Sequence, residues 1–132
     1  MDVGLKGIKI IETASVVGGP MAGRLLADWG ADVIHVDYVT RKAIEEQRKV
    51  TGAITSKSTG VITPTGDYRL HNTHRNKRNI VLDLSKEQGR EIIYRMLEKA
   101  DVLLSNFRPR ELAKFKLEYE TLSQLNPRLI CA

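Results

Sequence analysis

Apolar positions in this chain fall into short β-branched runs that alternate with stretches repeating every three or four residues, which predicts strands alternating with helices. Leu5 to Ile11 reads as a strand, since Ile8, Ile10 and Ile11 give it the character of a buried parallel strand. Pro20 suits the first position of a helix, and Met21, Ala22, Leu25, Leu26 and Trp29 would form its one buried face, closed by Gly30. Asp32 to Val36 is the next strand, and Asn79 to Leu84 another. Ser85 and Gln88 have the spacing of a capping box, ahead of a helix with Ile92, Ile93, Met96 and Leu97 on its core side. Val102 to Leu104, Arg110 to Phe115, Tyr119 to Leu125 and Arg128 to Ala132 then read as strand, helix, helix and strand. Alternation of this kind predicts an α/β fold: a doubly wound, Rossmann-like parallel sheet with flanking helices, which takes ligands beyond the C-terminal ends of its strands.

Residues 38–70 break the pattern. Ala43 to Val50 would make a short helix, and the Gly-, Thr- and Ser-rich stretch from Thr51 to Asp67 reads as a surface excursion. His71 and His74 are read here as loop residues without a carboxylate or Cys partner nearby, so no metal is expected.

Composition narrows the function classes only slightly. The 132 residues, 42% hydrophobic, suffice for one domain with a core. A net charge of +5 suits nucleic acid, an anionic membrane or a polyanionic small molecule. The bases are scattered without a zinc-finger spacing or an aromatic sheet motif, so nucleic acid and membrane are not expected, although a basic nucleic-acid module remains an alternative. Cys131 is the single cysteine and ends an apolar run, which predicts a small buried side chain and a reducing, cytoplasmic setting. No signal peptide or membrane span is read.

Candidate chemistry gathers in three places. Gly18-Gly19-Pro20 follows the first strand, where the backbone could approach a ligand at a helix start. The block His74-Arg75-Asn76-Lys77-Arg78-Asn79 precedes an apolar run ending Leu82-Asp83-Leu84, and its bases have the chemistry to grip phosphates. Ala100-Asp101-Val102 leads to Asn106-Phe107-Arg108-Pro109, an amide, an aromatic and a base after the next run. A single anionic ligand requires Lys77, Arg78 and Asn106 to border one hollow.

This series, with Gly7-Ile8-Lys9-Ile10-Ile11-Glu12 at the start and Leu125-Asn126-Pro127-Arg128-Leu129-Ile130 at the end, resembles the class III CoA-transferase family of CaiB/BaiF and formyl-CoA transferase type. The family writes A-G-P, N-x-N-K-R-S-I-x-L-D-L, A-D-V-x-x-x-N-F-x-P-G and L-N-P-R-L-I in that order. The resemblance implies that residues 1–132 are the N-terminal part of a large CoA-binding α/β domain within an interlocked-dimer enzyme, with the rest of the family fold absent. It implies transfer of CoA from an acyl-CoA to a carboxylic acid through an aspartyl mixed anhydride, with CoA as substrate and no prosthetic group. The site residues it implies are Val17 and Gly18, then His74, Arg75, Asn76 and Lys77, then Asn106, Phe107 and Arg108, and Lys114 where the family has an Arg. Tyr38 falls where one branch has an Arg, and Arg110 and Lys116 each replace a glycine. The family's nucleophilic Asp matches none of Asp28, Asp32, Asp37, Asp67, Asp83 or Asp101, so no catalytic residue is assigned and the chain alone is expected to be inactive. Its partners would be a second copy or a related subunit. A noncatalytic CoA-binding or regulatory subunit is the alternative.

Overall fold

A computed structural model describes residues 4–38, 62–63 and 66–132. The elements are β1 (Lys9–Glu12), α1 (Gly18–Asp28), β2 (Asp32–Tyr38), β3 (Ile62–Thr63), β4 (Gly66–Asp67), α2 (Tyr68–His74), β5 (Arg78–Leu82), α3 (Glu87–Leu97), β6 (Val102–Leu104), α4 (Pro109–Phe115), α5 (Tyr119–Leu125) and β7 (Ile130–Cys131). The expected short helix over 43–50 lies outside the described residues.

Among the described residues five strands form a parallel sheet in the order β5-β2-β1-β6-β7, and β3 and β4 form a separate antiparallel pair. The chain winds outward from β1 through β2 to β5, then returns to β6 on the other side of β1. That reversal between β1 and β6 is a topological switch point, where the loops leaving two neighbouring strands part and leave a crevice.

Both faces of the sheet are covered, because alternate strand residues point to opposite sides. Ile11, Val36, Leu82 and Leu103 pack into a large core with Ile93 and Leu97 of α3 and Leu122 of α5. Ile10 and Val33 pack the other way, against Ala27 and Ala31. Burying each Ile or Leu side chain contributes roughly 1.5–3 kcal/mol.

The helices differ from expectation in instructive ways. The buried face of α1 is Pro20, Gly23 and Ala27, while Leu25 and Trp29 are exposed. Small residues win that face because they let α1 lie close to the sheet: a Cβ on Gly23 would fall 1.6 Å from Glu12 Oε2. The Ser85 capping box does not form. Its hydroxyl and N–H both donate to Asp83 Oδ1, at 2.5 and 3.0 Å, and α3 starts one residue later without a side-chain cap. His71 and His74 stand on a helix, not in a loop. Cys131 is exposed rather than buried, because β7 is an edge strand. Lys116 closes α4 at φ 57, the left-handed conformation that a glycine adopts most easily.

Candidate functional site

The loops leaving β1 and β6 are tied together at the switch point. Thr13 N–H donates to the Leu104 carbonyl at 2.9 Å. Asn106 then clamps the first loop with both ends of its amide: Ser15 N–H donates to Oδ1 at 2.9 Å, and Nδ2 donates to the Ser15 carbonyl at 2.8 Å. Between these anchors Val16 is held at φ 70 with its side chain 82% exposed. A β-branched residue in that region stores on the order of 1–3 kcal/mol of strain, which persists only where surrounding bonds impose it. Gly19 is required here, since a Cβ would sit 2.2 Å from Ala14 Cβ. α1 begins at this point without a side-chain cap, so its first turn presents its positive end and backbone N–H groups at the crevice. Val17, Gly18 and Asn106 of the expected site therefore meet at one rim.

Behind the rim lies an aromatic cluster. Phe107 packs edge-on to Tyr38 at 5.0 Å between ring centroids and against Phe115 at 5.5 Å. Phe107 is 8% exposed, so the aromatic face of this implied site residue is turned into the protein, and it fixes the loop that carries Asn106. Arg108 and Lys114 are both exposed, with the Lys114 ammonium 5.4 Å from the centroid of the Phe115 ring. The Arg108 N–H donates to Glu111 Oε2 at 3.0 Å, which anchors the start of α4. Tyr38 pairs in register with Leu82, so the C-terminal end of β5, residues 82–85, belongs to the same edge of the sheet. Sequence reasoning assigned nothing there; the signal was the strand-end rule itself.

The basic block behaves otherwise. It enters β5, at the opposite edge of the sheet, beside the end of α1. Arg75 Nη2 and Asn76 Nδ2 both donate to the Asp28 carboxylate at 2.6 Å, and Arg78 forks onto Asp32, with Nη2 at 2.6 and 2.7 Å from its two oxygens. Lys77 runs inward beneath α1. Its ammonium, 1% exposed, donates to Glu12 at 2.7 and 2.9 Å and to the Pro20 carbonyl at 2.7 Å. Burial pulls the Lys77 pKa below the ordinary lysine value while the Glu12 carboxylate opposes it. The structure thus does not bring Arg78 to the rim of Asn106, and Lys77 supports the first turn of α1 from below.

A second constellation grows from the same network. His35, buried on β2, donates from Nδ1 to Glu12 Oε1 at 2.5 Å, and its Nε2 lies 3.2 Å from Asp37 Oδ1. Burial disfavours charge on His35, but its hydrogen bonds to Asp37 and Glu12 outweigh that and lift its pKa to about 9. The bond from His35 holds Asp37 down at about 2, against burial, with help from Asn79. The His74 ring stands edge-on to His35 at 4.4 Å. Beside them opens a hollow of about 600 Å³ lined by Asp37, His71, His74, Arg75 and Asn79. Of the expected ligand residues, His74 and Arg75 border this hollow rather than the rim.

A parallel α/β sheet that reverses its winding between β1 and β6 is of the doubly wound class. The chain belongs to CoA-transferase family III, whose model matches residues 5–132. It is 40% identical over 126 residues to the succinate–glutarate CoA-transferase of Agrobacterium fabrum, covering 96% of this chain and 30% of that protein. It is 35% identical over 128 residues to the alpha-methylacyl-CoA racemase of Mus musculus, covering 97% and 27%. A CaiB/BaiF family protein from Brucella suis superposes with a TM-score of 0.77 at 32% identity, over 99% of this chain and 33% of that one. The chain thus spans about 30% of the length of these curated relatives. Among the described residues no helix is long and apolar enough to cross a membrane.

Proposed function

We propose that this chain supplies the CoA-binding part of a cytoplasmic CoA-transferase that moves CoA from an acyl-CoA to a carboxylic acid. The observation that carries the reading is the Asn106 clamp, which fixes two loops to each other at the switch point beside the uncapped first turn of α1. Val17 and Gly18 offer backbone N–H groups to the anionic ligand, Asn106 and the Phe107 backbone shape the wall, and Arg108 and Lys114 supply positive charge. Lys77 positions α1 from beneath. His74, Arg75 and Asn76 brace the entry to β5, near enough to one hollow to meet an extended part of the ligand.

In the proposed reaction a carboxylate attacks the thioester carbonyl, the CoA thiolate leaves, and the mixed anhydride is resolved by the acceptor acid and the returning thiolate. The attacking carboxylate comes from outside these residues. This is supported by the engagement of Asp28, Asp32, Asp37 and Asp83 in hydrogen bonds away from the Asn106 rim. Working with a second copy or a related subunit completes the site.

A noncatalytic subunit is the second reading, favoured by 34% identity to the succinyl-CoA–L-malate CoA-transferase beta subunit of Chloroflexus aurantiacus. Calorimetric titration of the chain with CoA, and with a DNA oligonucleotide as control, tests the binding role. Saturable CoA binding that weakens about tenfold in Asn106→Ala is expected, the loss of roughly one net hydrogen bond's worth of binding energy. No binding of CoA, or tighter binding of the oligonucleotide, overturns it. Formation of glutaryl-CoA from succinyl-CoA and glutarate by the protein that contains this chain separates transferase from noncatalytic subunit.

A further inference from the structure

The His35 and Asp37 pair is not used by the CoA-binding reading, and together with His74, which borders the same hollow, its geometry points to a further site. We propose that His35 Nε2, the Asp37 carboxylate and a ring nitrogen of His74 bind one divalent transition-metal ion of the zinc class. The ion faces the hollow that His71 also lines.

Three observations support this. The ligand atoms of these side chains all lie within 4.8 Å of one another, and His35 Nε2 is 3.2 Å from Asp37 Oδ1. Tetrahedral zinc with bonds near 2.1 Å separates its ligands by about 3.4 Å, so closure needs a movement on the order of 1 Å. Each ligand, moreover, has an outer partner that orients it. Glu12 accepts from His35 Nδ1 at 2.5 Å and so turns Nε2 outward; Asn79 Nδ2 donates to Asp37 Oδ2 at 2.8 Å and so leaves Oδ1 for the ion; Thr73 Oγ1 sits 2.9 Å from His74 Nδ1. A carboxylate behind an imidazole and an amide behind a carboxylate are how metal sites hold their ligands.

The surrounding charge also permits a cation once the ion displaces the Nε2 proton of His35 to solvent, because a ligating imidazole is neutral and metal binding releases that proton. Lys77 is neutralised by Glu12, and Arg75, which borders the hollow, by Asp28 at 2.6 Å. Two imidazoles and one carboxylate suit zinc, nickel or copper and not calcium or magnesium, which demand oxygen ligands. The ion would fasten α2 to β2 and fix the segment that enters β5. Water, or His71 from one turn earlier on α2, completes its coordination.

The test is calorimetric titration of the chelator-treated chain with zinc sulfate, with cobalt(II) chloride as the spectroscopic substitute. One ion per chain is expected, with a cobalt absorption spectrum of low coordination number. His74→Gln and Asp37→Asn should abolish that spectrum. Asn79→Ala, which removes only an outer partner, should weaken zinc about 10–100-fold. His74 is partly exposed, so its variant should keep the fold, as circular dichroism will show. Failure of the wild-type chain to bind zinc overturns the proposal. So does binding that His74→Gln and Asp37→Asn leave at wild-type affinity, the mark of an adventitious surface ion.

Discussion

The two edges of the sheet use polarity in opposite ways. At the edge holding the Asn106 rim, bonds run between backbone and one amide, side chains such as Val16 are exposed, and the helix start is left uncapped. Toward the edge where β5 begins, the charged groups of the basic block are paired with carboxylates of the protein. The rim leaves side chains and a helix start exposed, whereas the basic block is largely paired within the protein. Positive charge in a sequence is therefore a poor locator of an anion site until its partners are known. A buried ammonium that meets a carboxylate and a carbonyl holds structure together.

The largest expected effect breaks this contrast from the buried side. Lys77→Met leaves the buried Glu12 carboxylate with His35 as its remaining partner, and chemical denaturation should report a loss of about 3 kcal/mol, the lower end for a broken buried pair. If the loss is negligible, Lys77 is free in solution and belongs to the rim after all. Gly23→Ala comes next: the added methyl must displace a carboxylate that Lys77 and His35 both hold, and overpacking of this kind destabilises by roughly 1–3 kcal/mol. Thermal melts of the variant give the comparison.

On the rim side, Asn106→Ala should lower stability by only about 1 kcal/mol, while CoA titration shows the larger relative effect. A stability loss matching that of Lys77→Met would erase the distinction between the two regions. The smallest effect concerns Asp28, whose carboxyl is held below its ordinary 3.8 by hydrogen bonding from Arg75 first, then Asn76, against desolvation. A depressed folded pKa contributes stability that is present above about pH 3.8 and lost as pH falls through the lower folded value. Asp28→Asn should remove that small component, so that a pH series of denaturation curves shows slightly lower stability above about pH 4 and nearly unchanged stability in stronger acid, where the wild-type carboxyl is protonated.

Strand and helix existence was legible because buried parallel strands carry β-branched runs and because Ile93 and Leu97 repeat at helical spacing on α3, although Ile92, expected beside them, is exposed and Gly89 is buried in the same face. Ile10 and Ile11, adjacent in sequence, sit in two different cores, as a doubly wound sheet demands. The burial face of α1 was not legible. Periodicity favours large apolar residues, yet Gly23 and Ala27 took the inner side because a buried carboxylate and a close-lying sheet left no room for larger ones. The capping box at Ser85 failed for a related reason: Asp83, two residues earlier, offered a nearer acceptor.

By itself the sequence determined the alternation of elements, the α/β class and the motifs at Gly18 and Asn106, because these depend on local spacing and turn chemistry. Tertiary structure alone decided which charges are paired within the protein. Lys77 and Glu12 lie 65 residues apart, and only the pairing of β5 with β2, and of β2 with β1, brings them to 2.7 Å. His35, Asp37 and His74 converge by the same route. Long-range pairing of this kind has no local signature, since it depends on strand register and on which atoms remain unsatisfied once the chain has closed.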